Sequence, residues 1–199
     1  MMESYNIIVA GVGGQGNVLA SRIIGDAAIH DGYHVVIGET FGAGQRGGSV
    51  LSHIRLYKEK KYGPLIPQET ADLVIGLEPF EALKCAADFL KPKGAIVTNT
   101  YPIMPSDRNY PVVDEIFSNL KKLSSNLFML DSTEIAKELG DVASSNIVMI
   151  GAAYSLGVLP LEEQHLKDAI TELLSKAADL NLKAFEKGKK NGKTTLRET

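Results

Sequence analysis

Only one cysteine, Cys85, stands among the 199 residues. With no second thiol the chain cannot close a disulfide on itself. Nor can it alone hold a cysteine-ligated iron–sulfur cluster, which takes several thiolates. Any electron-carrying cluster that works with this chain is therefore expected on another polypeptide. Long apolar runs are missing as well: Ile147 to Ile150 and Leu73 to Leu77 are among the longest, far short of the ~20 residues of a membrane-spanning helix. The N-terminus enters a strand pattern almost at once, so neither a signal peptide nor a membrane segment is expected. Together with the lone thiol, this makes a reducing cytoplasm the expected setting. Positive charge is not in excess. A net charge of −3 and a pI of about 5.8 give no general attraction for phosphate backbones, so nucleic acid is not an expected partner. The four histidines, His30, His34, His53 and His165, show no metal-ligand spacing with carboxylates or with Cys85.

What is present reads as a folded α/β chain. Hydrophobic residues at 44% and charged residues at 23% match ordinary globular composition. One domain over residues 1–188 is expected, since no repeat or low-complexity linker divides it. Tyr5 to Ala10 reads as a buried parallel strand, and helical spacing of Val18, Leu19, Ile23, Ile24, Ala27 and Ala28 follows until Gly32. Strands are expected at Tyr33–Gly38, Ser49–Tyr57, Ala71–Leu77, Gly94–Asn99 and Asn126–Leu130, with helices over Pro79–Leu90, Val112–Leu123 and Ser132–Leu139 between the later ones. This alternation predicts a Rossmann-like, doubly wound, mainly parallel sheet with helices on both faces. C-terminal helices follow: one over Asn146–Leu156, and one longer helix with Leu166, Ile170, Leu173, Ala177, Leu180 and Ala184 as its apolar stripe. Residues 189–199 hold one Leu among polar and charged residues and are expected to form a flexible tail.

Two glycine-rich segments carry the chemistry. Gly11-Val-Gly-Gly-Gln-Gly16 follows the first strand and opens the first helix, the context in which such a loop lets backbone amides at a helix N-terminus meet an anion. Glu39 ends the second strand, where a ribose-binding acid of a dinucleotide site would lie. A plainer reading keeps the glycines for close packing of strand against helix. The stretch Glu39 to Gly48 is too glycine-rich for a regular element and reads as a loop, and it holds most of the second segment, Thr40-Phe-Gly-Ala-Gly-Gln-Arg-Gly-Gly-Ser49. Within it Arg46 offers a planar fork suited to carboxylate or phosphate, although a solvated surface loop is the alternative.

Further short segments accompany these two: Ser52-His-Ile-Arg55, Gly63-Pro-Leu-Ile-Pro67, Ala71-Asp-Leu-Val-Ile75, Glu78-Pro-Phe-Glu-Ala-Leu83 and Asn99-Thr-Tyr-Pro-Ile103. In that order, with both glycine motifs, the chain resembles the gamma-type subunit of 2-oxoacid:ferredoxin oxidoreductases. Within that family it is similar to the beta subunit of the indolepyruvate enzymes. The resemblance implies a complex that oxidatively decarboxylates an aryl 2-oxoacid, passes electrons to ferredoxin and forms an acyl-coenzyme A. It places no catalytic residue on this chain, and it implies a cofactor-binding or anion-binding role for Gly11, Gly13, Gly14, Gln15, Gly16, Glu39, Thr40, Gln45, Arg46, Gly47, Gly48 and Ser49. Coenzyme A is expected at most at a subunit interface. Thiamine diphosphate, magnesium and 4Fe-4S clusters are expected in a larger partner subunit. The nearest thing to a thiamine motif here is Gly140-Asp-Val142 with Asn146 only a few residues on.

His53 and Arg55 are expected on a polar strand face that is solvated, partner-facing or functional. Glu78 and Glu81 read as first-turn helix acids, favoured by the dipole. Cys85, among Leu83, Ala86 and Ala87, reads as an inert buried thiol. Three functions stay open: a non-autonomous subunit, a stand-alone NAD(P)-dependent oxidoreductase, and a nucleotide-binding assembly module. The subunit reading carries an exposed apolar patch and a possible homodimer when the chain is isolated.

Overall fold

The computed structural model describes residues 4–42, 48–104 and 110–198, the last five by backbone alone. Nine residues, Ser4–Val12, form β1. The left-handed Gly16 then leads into α1 (Asn17–His30). Two strands follow as a hairpin, β2 (His34–Phe41) and β3 (Ser49–Tyr57). The chain then alternates through β4 (Ala71–Gly76), α2 (Pro79–Phe89), β5 (Leu90–Asn99), α3 (Val113–Leu123), β6 (Leu127–Leu130) and α4 (Ser132–Glu138). Three helices end it: α5 (Ser145–Ser155), α6 (Glu163–Leu173) and α7 (Ala178–Glu198).

The six strands form one sheet in the order β2-β3-β1-β4-β5-β6. Pairings from β1 to β6 are parallel, while β3 runs antiparallel to both β1 and β2. The expected mainly parallel, doubly wound sheet is therefore present, with one difference. Instead of pairing with β1, β2 is separated from it by the hairpin partner β3, which fills the gap between them. Side chains alternate across the sheet. Ile7 and Val9 join α1, α5 and α6 in one core, while Ile8 and Ala10 join α2 and α3 in another. Strands buried on both faces explain why β1 and β4 read as nearly unbroken apolar runs.

Two expectations need correction. The polar face of β3 is neither solvated nor free, since His53 is 2% and Arg55 8% exposed. Nε of Arg55 donates to Asn6 Oδ1 at 3.1 Å, and its Nη1 donates to the carbonyls of Gly63 and Leu65. The guanidinium also lies 4.4 Å from the Tyr62 ring centre. The Ile66 amide donates to His53 Nδ1, and burial pushes the His53 pKa down. Arg55 thus clamps the β3–β4 connection over the sheet, which turns a polar face into an interior one. The expected single C-terminal helix is broken between Leu173 and Ala178 by a short 3₁₀ turn. Its stripe breaks there too, for Leu173 is 41% exposed.

The segment expected to be a tail continues α7 in helical backbone. Gly188, just before that segment, and Gly192 within it face α5 closely. A Cβ on Gly188 would lie 2.0 Å from the Val148 carbonyl oxygen, and one on Gly192 2.2 Å from Ser155 Oγ. Small residues here let two backbones approach.

Candidate functional site

The carboxyl ends of β1, β4 and β5 form a crest, and most of the recognised segments meet there. This is where open α/β sheets leave room for ligands, at the point where the helices change face. After β1 the helix α1 covers one face, while after β4 the helix α2 covers the other.

The first glycine loop is held largely by its own side chains. Gln15 turns back so that its Oε1 accepts from the Val12 amide at 2.8 Å, while its Nε2 donates to the Leu77 carbonyl at 2.8 Å. One glutamine therefore joins the ends of β1 and β4. Gly11 pairs with Val50 inside the sheet, and the Gly13 amide donates to the Gly48 carbonyl at 3.0 Å. Gly13 and Gly14 are exposed at the tip. Gly16 caps α1 in the left-handed region, and α1 has neither a side-chain cap nor an acid in its first turn. Asn146 Nδ2 donates to the Gly16 carbonyl at 3.2 Å. The Asn146 side chain is buried, and its Oδ1 has no partner among the described residues.

The second glycine segment closes the β2–β3 hairpin, with the Gly42 amide donating to the Ser49 carbonyl at 2.7 Å. Of its expected site residues, Gln45, Arg46 and Gly47 lie outside the described residues. Gly48 is buried beside Gly13, and Thr40 pairs with Leu51. Ser49 donates its hydroxyl to Glu81 Oε2 at 2.6 Å. Glu78, at the N-cap of α2, accepts from the Glu81 amide at 2.8 Å, and its other oxygen accepts from Tyr110 Oη and from the Ile103 amide. Burial holds the Glu78 carboxyl above its ordinary range and raises the Tyr110 phenol too. Beside them, Asn99 donates to the Leu77 carbonyl and to Thr133 while accepting from the Tyr101 and Ser132 amides. The first glycine loop, Ser49, the two acids and the stretch after β5 are thus joined across the crest.

Glu39 lies elsewhere. One of its oxygens accepts from Ser21 at 3.1 Å and the other from Ser52. β3 stands between β1 and β2, so Glu39 and the first loop are not on neighbouring strands. Cys85 is 2% exposed, and burial pushes its thiol pKa up, which leaves the thiol protonated and unreactive at neutral pH. At the other end of α1, Asp31, Glu162 and His165 bring ligand-type atoms within 4.8 Å of one another. Within it Asp31 accepts from both His165 and the Glu162 amide and so ties α1 to α6. Sequence spacing gave no sign of it across more than 130 positions. Asn146 was missed as a neighbour of the loop for the same reason. Glu78 and Glu81 were visible as helix acids, yet nothing local showed that they reach Tyr110 and Ser49.

Comparison with known proteins places this geometry among relatives. The family described as pyruvate ferredoxin/flavodoxin oxidoreductase matches residues 6–190. The indolepyruvate oxidoreductase subunit IorB of Thermococcus kodakarensis is 37% identical over 98% of this chain and 99% of its own length. Among solved structures, the 2-oxoglutarate:ferredoxin oxidoreductase of Magnetococcus marinus, with 2-oxoglutarate, coenzyme A and succinyl-CoA bound, is 25% identical with a TM-score of 0.74. It covers 98% of this chain, which spans 32% of that longer one. The gamma subunit of a keto/oxoacid ferredoxin oxidoreductase from Geobacter sulfurreducens is also 25% identical, with a TM-score of 0.71 over 96% of this chain and 99% of its own.

Proposed function

The chain belongs to the pyruvate ferredoxin/flavodoxin oxidoreductase family, and from that premise we propose that it is the small, gamma-type subunit of an indolepyruvate or other aryl-pyruvate oxidoreductase. In this reading the complex cleaves the 2-oxoacid to carbon dioxide, sends two electrons to ferredoxin and joins the acyl group to coenzyme A. This chain lends a surface rather than the redox chemistry. Thiamine diphosphate, magnesium and the 4Fe-4S clusters belong to the larger subunit. The residues here do not fit those groups, because the one thiol is buried, with burial pushing its pKa up, and the Asn146 amide is engaged with the Gly16 carbonyl.

The observation that carries the proposal is the crest itself. Two glycine loops meet there through Gly13 and Gly48, and large apolar side chains stand exposed at the same end of the sheet, Phe41 at 68% and Met104 at 63%. Coenzyme A suits the donors present. The N-terminus of α1 is free of acids and open at Gly14, where nothing lies within 4 Å of a Cβ. Such a terminus favours a phosphate. Gln45 and Arg46 complete the site in this proposal, Arg46 through paired hydrogen bonds to a phosphate or carboxylate.

Reconstitution tests it. The purified chain is expected to show no indolepyruvate-dependent viologen reduction, whereas the chain assembled with its larger subunit reduces the dye in a coenzyme A-dependent way. Turnover by the isolated chain, or binding of NAD in preference to coenzyme A, would overturn the proposal.

A further inference from the structure

The geometry points to Glu78 and Glu81 as a positioning pair that fixes the working shape of the crest, Glu81 by holding Ser49 at the start of β3 and Glu78 by holding Tyr110 and the Ile103 amide beyond β5. This inference rests on the crest being the functional face.

Helix capping alone does not account for the pair. A side chain at the N-cap needs only to accept from an amide in the first turn, as Asp131 does for α4 by accepting from the Glu134 amide at 2.8 Å while staying exposed. Glu78 performs that task with Oε2, yet it is 1% exposed, and among the described residues no cation contacts it. Burying a carboxylate without a cation is costly unless other donors compensate. Here the compensating donors are the Tyr110 hydroxyl and the Ile103 amide, both from the stretch after β5.

Glu81 occupies the third helical position, from which an acid would ordinarily turn back to the N-cap amide. It turns the other way. Oε2 accepts the Ser49 hydroxyl at 2.6 Å, Oε1 pairs with Lys84 at 2.7 Å, and the residue is 6% exposed. The two acids therefore act from one rigid helix turn on opposite sides of the crest. Neither needs to touch a substrate; each sets where a neighbouring segment stands.

The test uses the full chain, alone and in the reconstituted complex, with Glu81→Ala, Ser49→Ala, the double variant, and Glu81→Gln as the conservative replacement. In the isolated chain, amide exchange at Val50 and Leu51 is expected to rise in Glu81→Ala and in Ser49→Ala, to rise no further in the double variant, and to return toward wild type in Glu81→Gln. In the complex, the KM for coenzyme A is expected to rise roughly tenfold in Glu81→Ala, the loss of a charge-assisted hydrogen bond, with a smaller effect on kcat. Exchange that changes only in the first turn of α2, or additive effects in the double variant, would overturn the inference and leave Glu81 as a helix acid alone. If the wild-type complex turns over no 2-oxoacid, the functional proposal fails while the exchange measurement still decides the role of Glu81.

Discussion

Gly16 and Gly14 both hold positive φ, 79° and 97°, but for different reasons. A Cβ on Gly16 would come within 2.3 Å of Asn146 Nδ2, whereas one on Gly14 would meet nothing within 4 Å. Placing a side chain in the left-handed region costs roughly 1–2 kcal/mol by itself. Gly14→Ala should therefore cost about that much in urea unfolding, and Gly16→Ala should cost ~2–4 kcal/mol because Asn146 must also move. Equal costs would mean that Asn146 does not press on the loop. The function of the two variants should diverge in the opposite sense, since Gly14 is the open position that a ligand would approach. The sequence showed that glycines gather after β1 and what backbone freedom they offer. It did not show that Gln15 and Asn146 fill much of the space around them, because those contacts depend on Leu77 and Gly16 being brought to the same end of the sheet.

At the scale of elements, α7 lies against α5 at its glycines as well as through Phe185, whose ring stands against Tyr154. Gly151 presents the same close approach from the other helix: a Cβ there would lie 2.2 Å from the Phe185 carbonyl oxygen. Backbone oxygens cannot swing aside as a side chain does, so Gly151→Ala and Gly188→Ala should each separate the helices. A loss of about 1–3 kcal/mol is expected for each, as for overpacked cores, read as a lowered thermal midpoint. An unchanged midpoint in both would contradict the packing of α7 on α5. Most strands and the helices from α1 to α5 could be read from apolar periodicity, because each buries a whole face or stripe. The break between α6 and α7 could not be read, since Leu166, Ile170 and Ala184 keep helical spacing across it while Leu173 turns outward. Nor could the insertion of β3. A strand buried on both faces reads the same whether its neighbours are parallel or antiparallel, and the long glycine-rich hairpin resembles any crossover loop.

At the scale of the whole molecule, the sheet separates a structural end from a working one. At the first end Arg55 clamps the β3–β4 connection and Asp31 ties α1 to α6; at the other the glycine loops, the acid pair and exposed apolar side chains meet. The segments that mark the family could be read in the sequence, and several of them converge on the crest. Ser52 to Arg55 and Gly63 to Pro67 do not: Arg55 holds the carbonyls of Gly63 and Leu65, and His53 accepts from the Ile66 amide, on the face covered by α2 and α3. The central claim is that the crest is where this chain meets its larger subunit and coenzyme A. Hydrogen–deuterium exchange of the chain alone and after assembly with that subunit tests it most directly. Protection is expected at Gly13 to Gly16, Gly48 to Leu51 and Tyr101 to Met104, increasing further when coenzyme A is added. Protection confined to α6 and α7, with these crest amides exchanging as in the free chain, would contradict it.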